Sequence, residues 1–142
     1  MRVKDALSRK GDLVVTITPD ETVTDLLAAL AKFRVGALVV TQPDGSIIGI
    51  VSERDVVRHL HTAGASILDQ PVSAIMTTDL HTASPMDDCA DLMIMMTEHR
   101  IRHVPVVVND RLVGIISIGD VVKHRIDELQ YERDHLTTYL TT

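Results

Sequence analysis

Apolar residues fall into two patterns along the chain, and the patterns alternate. Val23, Leu26, Leu27 and Leu30 recur at helical spacing, and so do Cys89, Leu92, Met93 and Met96. Each helical stretch is followed by two short apolar runs: residues 37–40 (ALVV) and 47–51 (IIGIV), then 104–108 (VPVVV) and 112–116 (LVGII). These runs predict strands. The turns at Pro43-Asp44-Gly45 and Asn109-Asp110 make each pair a hairpin. Residues 13–17 (LVVTI) predict a short strand before the first helix. Thr18-Pro19-Asp20-Glu21 reads as a capping box with Pro at the first helical position, and Ser84-Pro85-Met86-Asp87 stands in the same place farther on.

The two halves repeat each other. GIVSERDVVR (49–58) recurs as GIISIGDVVK (114–123), an offset of 65, and upstream the offset becomes 66. There Thr16/Thr82, Pro19/Pro85, Asp25/Asp91, Leu26/Leu92, Arg34/Arg100 and Val40/Val106 are identical. The slip of one residue falls in the hairpin turn. Each copy therefore predicts β-α-β-β-α, an α/β (α+β) fold, with the last helix starting after a Ser-x-x-Asp. The expected division is a first domain over 1–61, a linker over 62–75 and a second domain over 76–142. The final helix is longer than its counterpart. Val122, Ile126, Leu129, Leu136 and Leu140 form a stripe interrupted by Arg133. Its far end is expected to contact another subunit; the alternative is a helix folded back on its own domain.

Composition narrows the function. The chain has 142 residues, a net charge of −6 and 2% aromatic residues. An acidic chain lacks the cations that displace counterions from a nucleic acid, and it has no stacking platform for single strands. Apolar runs are broken by charges, so no membrane span is expected. The start, MRVKDALSRK, has no apolar signal core. The single cysteine, Cys89, cannot pair within the chain. A cytoplasmic setting is the expectation.

The sharpest chemical signal is the recurring Gly-h-h-Ser-x-x-Asp-h-h, where h is apolar. One reading is structural: Ser52 and Ser117 as helix N-caps, with Asp55 and Asp120 closing capping boxes. Three features favour a second reading. Asp reaches back less well than the usual Glu or Gln, the motif occurs twice at the same place, and a Gly in the strand invites close approach. A helix N-terminus offers free N–H groups to phosphate. An acceptor-only carboxylate suits the hydroxyls of a ribose. Together they describe a ribose-phosphate site.

These motifs, with Met76-Thr77 and the strand Arg102-His103-Val104-Pro105-Val106-Val107, make the chain resemble a tandem pair of CBS domains, the module named after cystathionine β-synthase. The resemblance spans roughly residues 5 to 135. It implies repeats packed about a pseudo-twofold axis and a homodimer shaped as a flat disc. It also implies a regulatory sensor, not an enzyme, that signals to an unknown protein partner. The implied ligand is adenosyl: AMP first, with ADP, ATP, NAD(H) or S-adenosylmethionine as alternatives. One cleft would use Ser52, Arg54 and Asp55 with Thr77, Thr78 and Leu80, completed by Arg102, His103 and Pro105. The other would use Ser117, Ile118 and Asp120 with Asp12, Val14, Gly36 and Ala37. The first has more cations and suits phosphates. The first repeat departs from the pattern, with Val39 where the second has Pro105.

The rival reading is a ligand-free interaction module acting through its dimer face or last helix. A weak nucleotide-dependent enzyme is a third, but no nucleophile and base stand out, and no Walker loop is present. The histidines carry no metal-ligand spacing; His99 and His103 need not share a face. Cys89 on an apolar stripe reads as a buried, inert thiol.

Overall fold

In the computed structural model, residues 1–10 and 14–141 are described. The elements run α1 (Val3–Ser8), β1 (Thr16–Ile17), α2 (Val23–Phe33), β2 (Ala37–Thr41), β3 (Ile47–Ser52), α3 (Glu53–Ala63), α4 (Cys89–His99), β4 (His103–Val108), β5 (Arg111–Ser117) and α5 (Ile118–Thr141). Strand β1 pairs parallel with β2, and β2 pairs antiparallel with β3. The second sheet is the β4–β5 hairpin. Its counterpart of β1 has shrunk to a single parallel bridge between Ala83 and Val106. The ladder shifts register after Val40 in one hairpin and after Val106 in the other, the same place in both repeats.

In each hairpin the first strand is buried on consecutive residues and the second alternates, and the two cores take Leu38, Val40 and Val51 from one hairpin and Val104, Val106 and Ile116 from the other. The strand predicted over 13–17 is ordered as strand only at Thr16–Ile17, with residue 13 outside the described residues. The two helices begin later than predicted. Thr18–Glu21 closes a turn, in which the Thr18 amide donates to Glu21 at 2.9 Å. Ser84 and Asp87 close the equivalent turn at 2.8 Å. The caps are Thr22, boxed with Asp25, and Asp88, whose side chain accepts from the Ala90 amide. Two caps stand in tandem in each repeat, and only the second starts the helix, because the apolar stripe begins there.

Each repeat is finished by the segment that precedes the other. Val72 and Ile75, just ahead of the second repeat, are buried in the first core with Leu26, Val40 and Val51. Val3 and Ala6, at the head of the chain, are buried in the second core with Leu92, Met96 and Val104. The backbone follows suit: Val72 donates to the Glu21 carbonyl at 2.7 Å, and Val3 donates to the Asp87 carbonyl at 2.9 Å. This reciprocal exchange is what a pseudo-twofold relation between repeats requires. Residues 64–69 and 72–74 form 3-10 turns, and Ile67 is buried with them.

The last helix does not fold back. It has 24 residues, about 36 Å at 1.5 Å per residue, and every residue from Gln130 to Thr141 is exposed. Only Val121 and His124 on it are buried.

Candidate functional site

Helix α3 starts at the end of β3, and α5 starts at the end of β5, so each Ser-x-x-Asp sits at a strand-to-helix junction. The first turn is fixed locally. The Ser52 amide donates to Asp55 Oδ2 at 2.8 Å, and the Asp55 amide donates to Ser52 Oγ at 3.4 Å. The second copy repeats this, with the Ser117 amide on Asp120 Oδ2 at 2.8 Å and the Asp120 amide on Ser117 Oγ at 3.1 Å. Asp therefore does close the capping box in both repeats; its short side chain reaches because the cap residue is still extended. The capping role leaves Asp55 Oδ1 to accept from Thr77 Oγ1 at 3.2 Å.

The glycine of the motif admits protein rather than ligand. A Cβ on Gly49 would lie 2.9 Å from Met76 Sδ and 3.0 Å from the Thr77 carbonyl, and a Cβ on Gly114 would meet Leu7 at 3.0 Å. That approach lets Thr77 pair with Ile50 in both directions, at 2.8 and 2.9 Å. Thr77 is thereby carried to Asp55 from beyond the first repeat.

Around this junction opens a cleft of about 690 Å³. Ser52, Arg54, Asp55, Thr77, Leu80, Arg102, His103 and Pro105 all line it, drawn from both repeats; Thr78 does not. Apolar surface comes from Ile50, Val57, Leu80, Ile101 and Pro105. Four of the chain's ten arginines, Arg54, Arg58, Arg100 and Arg102, line the same space. Among the described residues none of the four is ion-paired with a carboxylate. Arg54 reaches across the repeats to donate to the Arg100 carbonyl at 3.2 Å.

The sequence did not mark several lining residues, among them Glu53, Arg58, Asp79, His81, His99 and Arg100. The His81 and His99 rings stack with centroids 4.2 Å apart. His81 follows the Thr77–Leu80 segment already assigned to the cleft, a signal that extending that segment by one residue would have caught. His99 gives no such signal, since only tertiary packing brings the end of α4 here. His99 and His103 do share this cleft.

The second cleft is smaller, about 420 Å³, and Gly36, Ser117 and Ile118 line it together with Arg34, Arg102 and His103. Val14, Ala37 and Asp120 do not. Ala37 is buried and paired with Ser52 across the hairpin. Asp12 lies outside the described residues. This cleft has fewer cations than the first: Arg34 and Arg102 line it, against four arginines there, and Lys10 lies beside it with Nζ 2.8 Å from Asp120 Oδ2.

Electrostatics separates the groups. Burial tends to raise the Asp120 carboxyl, but the bond from Lys10 and those from Ser117 outweigh it and hold it below the usual value. His103 is pushed down, first by burial and then by the charge of Lys10, so it is neutral at pH 7. His103 therefore adds little to the positive charge that the arginines bring to the first cleft. Burial pushes the Cys89 thiol up, as suits an inert core residue. Among the described residues no cluster of His, Cys, Asp and Glu could hold a metal ion.

The CBS-domain family model matches residues 10–62 and again 72–127. The chain is a member of the CBS-domain family. Among relatives, a CBS domain-containing protein, CBSX3, mitochondrial, from Arabidopsis thaliana is 34% identical, over 97% of this chain and 71% of its own. YhcV, a CBS domain-containing protein of Bacillus subtilis, is 30% identical over 87% and 85%. The crystal structure of the CBS-domain containing protein ATU1752 from Agrobacterium tumefaciens superimposes with a TM-score of 0.85 at 46% identity, over 88% of this chain and 99% of that one. The CBS domain pair of MJ0100, crystallised with 5-methylthioadenosine and S-adenosylmethionine, shares the fold at 24% identity, over 87% and 98%, with a TM-score of 0.77. No helix among the described residues of this CBS pair is long and apolar enough to cross a membrane.

Proposed function

We propose that this CBS pair is a sensor of phosphorylated adenosyl ligands, bound in the cleft at Asp55. The observation that carries this is four guanidiniums, none ion-paired with a carboxylate among the described residues, beside an apolar wall in a chain of net charge −6. An arginine fork binds phosphate bidentately. Asp55 Oδ1, held by one neutral hydroxyl, accepts a ribose hydroxyl by displacing or joining Thr77. The surface of Ile50, Leu80, Ile101 and Pro105 takes the flat base. AMP, ADP, ATP and NAD(H) fit this distribution of charge. S-adenosylmethionine fits it less well, because its sulfonium and ammonium groups would face arginines. Ligand in the cleft bridges both repeats, since Arg54 and Arg102 come from different ones. It thereby favours one relation between them. The pair then signals to a protein partner as a homodimer, with no catalysis of its own.

The test is thermal unfolding of the parent and of Asp55→Ala against AMP, ADP, ATP, NAD, NADH and S-adenosylmethionine. A ligand at 100 times its dissociation constant adds about 2.7 kcal/mol. The expected result is a rise of several degrees with a phosphorylated ligand, none with S-adenosylmethionine, and a weakened response in Asp55→Ala. Loss of the box itself lowers the unliganded variant by about 1 kcal/mol. No shift with any of the six would sink the ligand reading and leave an interaction module, the reading that the bare outer half of α5 favours.

A further inference from the structure

The two Ser-x-x-Asp carboxylates are built alike but are not equally available. Both use Oδ2 to cap their helix. At Asp55 the remaining contact is the neutral hydroxyl of Thr77. At Asp120 the neighbour is an ammonium: Lys10 Nζ lies 2.8 Å from Oδ2 and also donates to the Ile115 carbonyl at 2.9 Å. Ile115 occupies the place of Ile50, whose carbonyl accepts from the Thr77 amide. Lys10 thus takes the Ile115 carbonyl, as the Thr77 amide takes that of Ile50, but on the carboxylate it adds an ammonium to the capping oxygen Oδ2, where Thr77 uses Oδ1.

The surroundings hold Lys10 there. Helix α1 lies on β5, with Leu7 packed against Gly114. The next residue along from Ser8, Arg9, is ion-paired with Asp127 on α5. Arg9 and Lys10 therefore clamp the end of α1 onto the first turns of α5. The open space matches this. Asp55 lines its cleft of about 690 Å³, whereas the cleft beside Ser117, about 420 Å³, does not reach Asp120.

We propose that Lys10 makes the clefts unequal: by holding Asp120 in an internal ion pair it withholds the ribose contact from the second cleft, so each chain takes one nucleotide, at Asp55. This rests on the nucleotide reading of the first cleft. The ammonium on Oδ2 draws the charge of the carboxylate away from Oδ1, and the cleft beside Ser117 does not reach Asp120, so a ribose hydroxyl gains less there than at Asp55. Removing the ammonium frees the carboxylate and the Ile115 carbonyl together. Lys10 is on this account a specificity-determining residue, acting on occupancy rather than on the chemistry of the first site.

The experiment is calorimetric titration of ADP into the full chain and into Lys10→Met, Lys10→Arg and Lys10→Met/Asp120→Asn. The expected stoichiometry is one ADP per chain for the parent and for Lys10→Arg, which keeps the ion pair. Lys10→Met is expected to bind two, and the double variant to return to one. Circular dichroism of each variant reports whether it is folded, and Lys10→Arg keeps the comparison valid if Lys10→Met is not. Two ADP per parent chain, or one in folded Lys10→Met, would overturn the proposal while leaving the nucleotide reading intact. ADP bound by none of the chains would overturn the nucleotide reading and the proposal with it.

Discussion

At the scale of single residues, the junctions at Asp55 and Asp120 each spend one carboxylate oxygen, Oδ2, on the helix cap. Each carboxylate caps its helix through one oxygen, so the structural and the ligand-binding readings of the motif are not alternatives. The histidine beside them behaves differently. Desolvation and then Lys10 hold His103 below its ordinary value of 6.5. Its folded state therefore binds a proton less readily than the unfolded chain. Above pH 6.5 neither state is protonated and there is no penalty. As pH falls through 6.5 the unfolded chain takes up the proton first, and stability is lost until the folded value is passed. In protein without ligand, thermal unfolding between pH 7.5 and 5 is expected to fall less steeply for His103→Gln than for the parent. Parallel curves would place His103 in a more solvated environment than the structure shows. The identity of His103 as a cleft residue was legible from its motif, but its charge state was not, because burial and the approach of Lys10 arise only when distant segments meet.

At the scale of elements, α5 is the informative one. Its stripe at Val122, Ile126, Leu129, Leu136 and Leu140 is between 41% and 73% exposed, so intramolecular packing does not account for it. The spacing is that of the two apolar heptad positions, with Arg133 where one of them would be. Two in-register parallel copies would set Arg133 against itself, which favours an antiparallel arrangement of helices from two chains. Replacing Leu129 and Leu136 together with Glu is expected to leave the helical content unchanged and to shift the mass, by light scattering at micromolar concentration, towards monomer. An unchanged mass would assign assembly to other faces, such as those bearing Leu27 and Ile94. The hairpins were legible in the sequence because two short apolar runs flanking a turn are a local feature of a strand pair. The starts of α2 and α4 were misplaced for the opposite reason. Two caps stood about one turn apart, and only the packing of Val23 and Cys89 into their cores decides which one the helix uses.

At the scale of the whole molecule, the exchange of leading segments makes the two repeats one cooperative object. Helix α1 stands first in the chain yet fills the second core, through Val3 and Ala6. Burying a valine side chain is worth about 1.5–3 kcal/mol. Deleting residues 1–8 is expected to lower stability by at least that much. Hydrogen exchange should rise first in α4 and β5 rather than in β1 and α2. Faster exchange confined to the first repeat would contradict the exchanged arrangement. The same deletion removes the scaffold that carries Lys10 towards Asp120, which ties the occupancy of the second cleft to the core.

The sequence by itself determined the duplication, the two hairpins, the Ser-x-x-Asp junctions and the part of the first cleft that those junctions and the Arg102–Pro105 strand supply. Repeats, apolar runs and capping are written in residues close together or at a fixed offset, and a duplicated chain announces its own symmetry. Only the tertiary structure decided that His81, His99 and Arg100 join that cleft, that α1 completes the far repeat, and that Lys10 is ion-paired with Asp120. Those contacts join segments with no common period and no fixed spacing. They exist because the apolar faces of both repeats, each too small to close alone, are covered by whatever chain lies across the pseudo-twofold.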